Sequence, residues 1–300
     1  MVDREQITPV ENGLLVMAPA KINLSLLIAG KRPDGFHEIE TVMAKINWYD
    51  EILVEQGRQR GVEFVCEGPE WAPTGESNLV YRAARLLLDR CGSAADLRIT
   101  LTKNIPAGTG LGSASSDAAA TLMGLNQYLQ LGINGKTLVS MAAELGSDVA
   151  FFLGGPLALC TGKGEKVGKI DENFDFLAIL VLPDISVSTQ KVYGNYKHDT
   201  SLYDRLCFRI NGYIKEKRID LVAKMCANML EESCFDLVKK LADLKKRIES
   251  LAIGPCCLSG SGSAMFCIVE GKDEEIARLY KRQIDEMSGF RSIIVSNNRW

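Results

Sequence analysis

The feature that most restricts the fold of this chain is a glycine-rich segment, PAGTGLGSASSD, at positions 106–117. Its glycines permit backbone conformations and close approaches that other residues do not allow, and its serines fall at the start of a helix predicted over 114–131. Backbone N–H groups at a helix N-terminus bind anions, and the helix dipole adds about half a positive charge there. The segment therefore predicts a loop that holds a polyphosphate, with a glycine-rich turn and ordinary serine caps as the alternative. The residues concerned are Gly108, Gly110, Gly112, Ser113, Ser115 and Ser116.

Neither of the two most familiar phosphate motifs is present. The sequence GKT at 135–137 has Gln130 where a Walker A motif requires its first glycine. A dinucleotide-binding fingerprint would need glycine where Ser113 stands. The loop is therefore a nucleotide cradle of another kind, or no cradle at all.

A second loop of small residues, LSGSGSA, lies at 258–264 between two apolar runs. Taken alone, it is more typical of a tight hairpin than of a ligand site. Two such loops in one chain favour an anionic ligand shared by both.

Two charged residues stand beside apolar segments. Asp148, in GSDVAFFLG at 146–154, can accept a proton from a substrate hydroxyl if it is held at the edge of a core; otherwise it caps the next turn. Lys21, in APAKIN at 18–23, interrupts an apolar strand and otherwise extends its amine to solvent from the strand end. Both residues are candidates for a catalytic role, and the fold decides whether they have that role or the simpler structural one.

Composition excludes several classes of protein. The 300 residues, 46% hydrophobic and 24% charged, indicate a soluble globular chain of about two domains. A formal charge of −3 without a basic block excludes a general nucleic-acid or anionic-membrane binder. The apolar runs fall short of the roughly 20 residues that a membrane helix needs, and the N-terminus lacks an apolar signal core, so we expect a cytoplasmic protein.

Cysteine and histidine usage excludes a further group of sites. The nine cysteines include no C-x-x-C pair and are expected to be free, buried thiols. His37 and His198 are the two histidines, which leaves little for a zinc site or a Ser-His-Asp hydrolase.

Hydrophobic periodicity predicts an α+β chain. Its N-terminal part is rich in strands, a helix at 78–91 has Ser77 as a possible N-cap, and the region 189–250 is mostly helical. We place the domain boundary between about 163 and 175, giving domains at 1–168 and 169–300. The predicted strands before residue 102 are at 14–18, 22–28, 41–46, 51–55, 62–66 and 97–101.

Three segments taken in order, 18–23, 106–116 and 258–264, resemble the GHMP kinase superfamily. RPDGFHE at 32–38, together with GSDV at 146–149, is similar to the branch that acts on 4-diphosphocytidyl-2-C-methyl-D-erythritol in non-mevalonate isoprenoid biosynthesis. The resemblance spans nearly the whole chain. It implies a two-domain fold, with an N-terminal ribosomal-protein-S5-like domain, a C-terminal ferredoxin-like domain and a cleft between them.

The resemblance also implies transfer of the γ-phosphoryl group of ATP to the 2-hydroxyl of this substrate. Asp148 would be the general base and Lys21 its cationic partner. Mg²⁺ is expected with the phosphates, without an assigned protein ligand set. Partners other than the small-molecule acceptor are not expected, neither nucleic acid nor membrane, and the chain would be a monomer or weak homodimer.

The other implied site residues form two groups. The ATP group comprises Pro106, Gly108, Gly110, Leu111, Gly112, Ser113, Ser115 and Ser116, with Asn78 and Lys103 as further candidates. The acceptor group comprises Asn23, Phe36, His37 and Tyr193. His37 would recognise the edge of the cytosine base, and the rings of Phe36 and Tyr193 would stack on that base.

Some positions depart from the superfamily pattern. The loop often has more alanine and glycine around Thr109 and Ser113, proline often stands where Ala150 is, and tyrosine is frequent at Phe36. Two alternatives stay open: another GHMP kinase, acting on mevalonate, homoserine or a sugar, and a non-catalytic nucleotide-binding protein.

Overall fold

A computed structural model describes residues 5–69, 72–172 and 174–300. The chain forms two β-sheets with helices packed on them, which confirms the predicted α+β class. The strands are β1 Ile7–Val10, β2 Gly13–Lys31, β3 His37–Gln56, β4 Val62–Glu67, β5 Leu97–Thr102, β6 Leu157–Gly162, β7 Lys166–Lys169, β8 Leu177–Leu182, β9 Ala227–Asn228, β10 Cys256–Leu258, β11 Met265–Val269 and β12 Arg291–Ser296. The α-helices are α1 Leu79–Cys91, α2 Ser113–Tyr128, α3 Gly135–Leu145, α4 Val149–Phe152, α5 Thr189–Asn195, α6 Thr200–Lys215, α7 Ile219–Lys224, α8 Glu231–Leu237, α9 Lys239–Glu249 and α10 Glu274–Ser288.

Two long antiparallel strands, β2 and β3, form the backbone of the first sheet. The sheet has the order β1-β2-β3-β5-β4, with β6 also paired to β3, β7 to β6, and β9 to β2. The sequence predicted two short strands in place of each long one, and this is wrong. The pairing continues through register shifts at Pro19/Ala20, Asn23/Ser25 and Ile28/Gly30. Such irregularities bend a strand and redirect its side chains, so a polar residue there does not end it.

Helices α1 to α4 cover the first sheet and share one apolar core with it. Helix α1 begins one residue later than the predicted cap implied. The Asn78 carboxamide oxygen accepts a 2.9 Å hydrogen bond from the Val80 N–H, whereas Ser77 lies in a preceding 3₁₀ turn. The prediction of Ser77 as the N-cap is therefore wrong, because asparagine caps as well as serine and stands one position closer to the apolar face.

The second sheet, of order β10-β11-β8-β12, is antiparallel. The C-terminal part of the chain also contacts the first sheet: β9 pairs in parallel with β2, and the Asn298 N–H donates a 2.9 Å hydrogen bond to the Lys45 carbonyl. Strand β7 of the first sheet ends at Lys169 and β8 of the second sheet begins at Leu177, and β9 later returns to the first sheet. The predicted boundary region of 163–175 overlaps the connection between these two strands, and the limit between 168 and 169 stays a prediction, one residue before the end of β7.

The cysteines depart from the sequence expectation. Cys226 and Cys257 form a disulfide with a Cα–Cα distance of 4.9 Å, so the prediction of nine free thiols is wrong for these two. The turn after α7 brings Cys226 beside β10, a proximity that the separation of 31 residues does not reveal. The other seven cysteines are free; four of them are buried as expected, whereas Cys66 and Cys207 are half-buried and Cys91 is exposed. Across the described ranges, no helix is both long and apolar enough to cross a bilayer.

Candidate active site

The glycine-rich segment forms a loop that leads directly into α2. Gly112 precedes the helix with a φ of 72°, a left-handed conformation that favours glycine. A Cβ atom at this position would lie 2.8 Å from Cζ of Phe152 and 3.0 Å from Cγ of Lys21. Glycine is therefore needed both for the turn and for the close packing between the loop and its neighbours.

The two small-residue loops touch each other. A Cβ atom on Gly110 would lie 2.1 Å from the Ser259 carbonyl oxygen. The Ser259 hydroxyl donates a 3.0 Å hydrogen bond to the Gly110 carbonyl, and the Ala264 N–H donates one of 3.0 Å to the Thr109 carbonyl. Residues 149 or more positions apart thus form one wall, as expected for loops that share a ligand.

Beside this wall lies a cleft with a volume of about 940 Å³. It brings together most of the residues singled out from the sequence, from both groups and with both charged candidates. Those lining it are Lys21, Asn23, Phe36, His37, Pro106, Gly108, Gly110, Leu111, Gly112, Ser113, Ser115, Asp148 and Tyr193.

Lys21 is buried on β2 at the base of the cleft, with 3% of its surface exposed. Its Nζ donates to the Asn23 carboxamide oxygen at 2.5 Å and to the Gly110 carbonyl at 2.7 Å. Burial lowers the pKa of Lys21, and the nearby Asp148 charge opposes that shift. Within the described residues no direct ion pair joins Lys21 and Asp148. The expected partnership is therefore one of electrostatic proximity rather than contact.

Asp148 occupies the position before α4, where a capping role was the simpler alternative. Its side chain makes no capping hydrogen bond, so that alternative is not supported. Gly164 lies against the carboxylate, since a Cβ atom there would be 3.2 Å from Oδ1. The carboxylate thus faces the cleft with its acceptor capacity available.

Aromatic rings and an imidazole form the mouth of the cleft. The ring centroids of His37 and Tyr193 are 5.3 Å apart at an interplanar angle of 31°, and Tyr196 meets His37 edge-on at 5.9 Å. Burial is the largest cause that lowers the pKa of His37, which favours the neutral imidazole. Phe36 is 57% exposed, with Lys163 Nζ 4.7 Å from its ring centroid. A flat, weakly charged ligand with donors and acceptors on its edge fits this mouth.

Three candidates for ATP binding do not line the cleft. Asn78 caps α1, as described above. Lys103 is buried in an ion-pair cluster and borders a separate cavity of about 1400 Å³. Ser116 is also buried, and its hydroxyl has no hydrogen-bond partner within the described residues.

Other polar residues support the site and were not singled out from the sequence. Thr41 on β3 accepts a 2.8 Å hydrogen bond from the Asn23 amide and donates one of 2.6 Å to the Ser25 carbonyl. It thereby fixes the Asn23 oxygen toward Lys21. Asp50 holds the glycine-rich loop through contacts described below. No local motif marks either residue, because their partners become neighbours only when β2, β3 and the loop assemble.

The chain matches known proteins over most of its length. The profile of GHMP kinases N terminal domain matches residues 78–156, and that of GHMP kinases C terminal matches residues 210–284. A 4-diphosphocytidyl-2-C-methyl-D-erythritol kinase of Geobacillus sp. (strain WCH70) is 36% identical over 267 residues, covering 89% of this chain and 91% of that protein.

Solved structures agree in overall shape. A crystal structure of 4-(cytidine 5'-diphospho)-2C-methyl-D-erythritol kinase superposes with a TM-score of 0.75 at 30% identity, covering 95% of this chain and 100% of the other. A homoserine kinase from Cytophaga hutchinsonii superposes with a TM-score of 0.77 at 22% identity, covering 99% and 98% of the two chains. At that identity, the second likeness shows the fold alone.

Proposed function

This chain belongs to the GHMP kinases, within their 4-diphosphocytidyl-2-C-methyl-D-erythritol kinase branch, and we propose that its cleft phosphorylates the 2-hydroxyl of that substrate with ATP. The observation that carries the proposal is the convergence of Lys21, Asp148, the glycine-rich loop and the His37–Tyr193 ring pair on one cleft. The first three suit phosphoryl transfer, and the ring pair suits a nucleobase.

Asp148 would accept the proton of the attacking hydroxyl. The hydroxyl oxygen then forms its bond to the γ-phosphorus of ATP as the bond to the β,γ-bridging oxygen breaks, releasing ADP. A carboxylate is a weak base, but phosphoryl transfer depends mainly on positioning and on charge stabilisation. The uncapped carboxylate of Asp148 supports this role.

Lys21 would stabilise the charge of the group in transfer. A lysine ammonium has three donors, and two of them bond to Asn23 and Gly110. These bonds hold the amine in place while one donor stays available for a phosphoryl oxygen. The backbone N–H groups at the start of α2 would bind the remaining phosphate oxygens.

The acceptor would lie with its cytosine between Phe36 and Tyr193 and its base edge against His37. A neutral imidazole can both donate and accept hydrogen bonds, as a cytosine edge requires. Asn23, fixed by Thr41, would lie beside the methylerythritol end near the reacting hydroxyl.

Mg²⁺ is proposed as the partner of the ATP phosphates. Over the residues that the structure describes, no group of three or more acidic, cysteine or histidine side chains forms a metal cluster, so the phosphates themselves would supply most ligands. Ser115, which lines the cleft on the first turn of α2, is the side chain that fits as an additional oxygen ligand. The ion would neutralise charge on the phosphates.

The setting of the reaction is proposed as well. Action as a monomer or weak homodimer is part of the proposal. A formal charge of −3 supports a small-molecule acceptor rather than nucleic acid or a membrane surface. Use of ATP supports a cytoplasmic location.

Release of ADP with a panel of acceptors tests the proposal. We expect turnover with 4-diphosphocytidyl-2-C-methyl-D-erythritol and negligible turnover with mevalonate, homoserine or galactose. Turnover with one of these and none with the cytidine substrate would overturn the acceptor assignment. Absence of turnover with every acceptor, despite ATP binding, would favour a non-catalytic nucleotide-binding protein.

A further inference from the structure

Asp50 on β3 is a buried carboxylate that the proposed reaction does not use, and its side chain is completely inaccessible to solvent. Its Oδ1 accepts hydrogen bonds from the backbone N–H groups of Asn104 at 2.6 Å and Ile105 at 2.8 Å. Its Oδ2 accepts a 3.0 Å hydrogen bond from the Ser113 hydroxyl and forms an ion pair with the Lys103 ammonium. Both oxygens therefore have at least two partners.

These partners lie at the two ends of the glycine-rich loop. Asn104 and Ile105 lead into the loop from β5, and Ser113 is the first residue of α2. One carboxylate thus connects the entry and the exit of the segment that lines the cleft. Three glycines between these ends leave the loop little side-chain packing of its own, so its shape depends on how its ends are held.

Lys103 extends this connection into α2. Its Nζ contacts Asp50, the Ser113 hydroxyl and, at 2.8 Å, Asp117 on α2. The Ser113 hydroxyl is therefore engaged by Asp50 and Lys103 rather than pointing to a ligand. The hydrogen bond between Lys103 and the Asp50 carboxylate is charge-assisted; such bonds are shorter and stronger than neutral ones, and buried ones are little screened by salt.

We propose that Asp50 is a positioning residue that sets the shape of the ATP-phosphate loop by joining its two ends through Asn104, Ile105 and Ser113. The inference rests on the proposed function, because it assigns the loop to ATP. It acts on nucleotide binding and not on the acceptor, whose assigned residues are Asn23 on β2, Phe36 just before β3, His37 at the start of β3 and Tyr193 on α5.

The test compares three variants of the full chain. Asp50→Asn keeps an acceptor for the two backbone N–H groups but loses the ion pair. Ser113→Ala removes the hydroxyl that links Asp50 and Lys103 to the loop exit and leaves the ion pair in place. Asp285→Asn is the matched control. Asp285 also accepts from a backbone N–H and a serine hydroxyl, both of Ser292, and pairs with Lys281, but it lies on α10 away from the cleft.

We expect Asp50→Asn to raise the dissociation constant and the KM for ATP by about tenfold or more while the acceptor KM changes by less than about twofold. Ser113→Ala should shift the ATP constants in the same direction by less. Asp285→Asn should leave both KM values near those of the wild type, whatever it does to thermal stability. If Asp50→Asn does not fold, the ATP dissociation constant and the ATP KM of Ser113→Ala provide the test instead.

Calorimetric titration with ATP separates the possible failures. Wild-type affinity for ATP in the Asp50→Asn variant, or in Ser113→Ala when the first variant does not fold, would overturn the role of Asp50. An equal rise in the ATP and acceptor constants would do the same, since it would indicate a general loss of structure. A wild-type protein that binds ATP but does not phosphorylate the cytidine substrate would overturn the proposed acceptor and leave the Asp50 comparison readable. A wild-type protein that binds no ATP would overturn both.

Discussion

Gly110 lies so close to Ser259 that a Cβ atom on the glycine would sit 2.1 Å from the serine carbonyl oxygen. This contact joins the loop that we assign to ATP to a loop near the C-terminus. The carbonyl oxygen of Gly110 also accepts a hydrogen bond from the Lys21 ammonium. The relative positions of phosphate loop, lysine and second loop therefore depend on a residue without a side chain.

Replacement of Gly110 by alanine should damage the site. The new methyl group cannot fit against Ser259, and the backbone φ of 79° is itself unfavourable for alanine. We expect ATP affinity to fall by about tenfold or more, measured by calorimetry. Gly132→Ala is the matched control, because Gly132 has a φ of 63° and nothing within 4 Å of its would-be Cβ. In that variant, backbone strain should lower the free energy of unfolding by about 1 kcal/mol, and ATP affinity should be retained.

Truncation of the ring at Tyr193 should weaken acceptor binding alone. Stacking of a base on an aromatic side chain contributes about 1–3 kcal/mol, so Tyr193→Ala should raise the acceptor KM by roughly 5- to 150-fold. Tyr193→Phe keeps the ring and should stay close to the wild type. Steady-state kinetics with each substrate varied in turn provides the measurement. A rise in the ATP KM without a rise in the acceptor KM would place the cytosine elsewhere.

Asp117 should make stability depend on pH. Burial raises the pKa of Asp117 to about 8, against 3.8 for the free side chain; Lys103 opposes this shift, and the nearby Asp50 charge adds to it. Between these values the folded chain holds a proton that the unfolded chain has lost. The free energy of unfolding should therefore fall as pH rises from about 5 to 8, by up to about 1.4 kcal/mol per pH unit from this group.

Urea unfolding at a series of pH values checks this expectation. Asp117→Asn should reduce the slope between pH 5 and 8, since an amide does not titrate. A variant with the same slope as the wild type would show that Asp117 is ionised in the folded state.

Sequence patterns identified the parts of the site that carry local motifs. The glycine-rich loop, Lys21 and Asp148 stand in recognisable segments, and the structure brings them to one cleft. Asp50 gave no signal, because its partners lie 53 to 63 positions along the chain and meet it only through the pairing of β3 with β5. The long strands escaped prediction for a related reason: Lys21 interrupts the apolar pattern between the predicted strands 14–18 and 22–28, whereas the observed strand continues through it with a register shift at Pro19/Ala20.

The Asp148→Asn variant tests whether Asp148 takes the proton of a hydroxyl held beside ATP. The amide has nearly the same shape but cannot take up the proton, and loss of a general base typically costs about 10²–10⁴ in rate. The measurement is single-turnover ADP formation with 4-diphosphocytidyl-2-C-methyl-D-erythritol, together with the dissociation constant for ATP. We predict a loss of turnover in that range with ATP affinity within about twofold of the wild type. Unchanged turnover would contradict the account, because it would exclude Asp148 as the base.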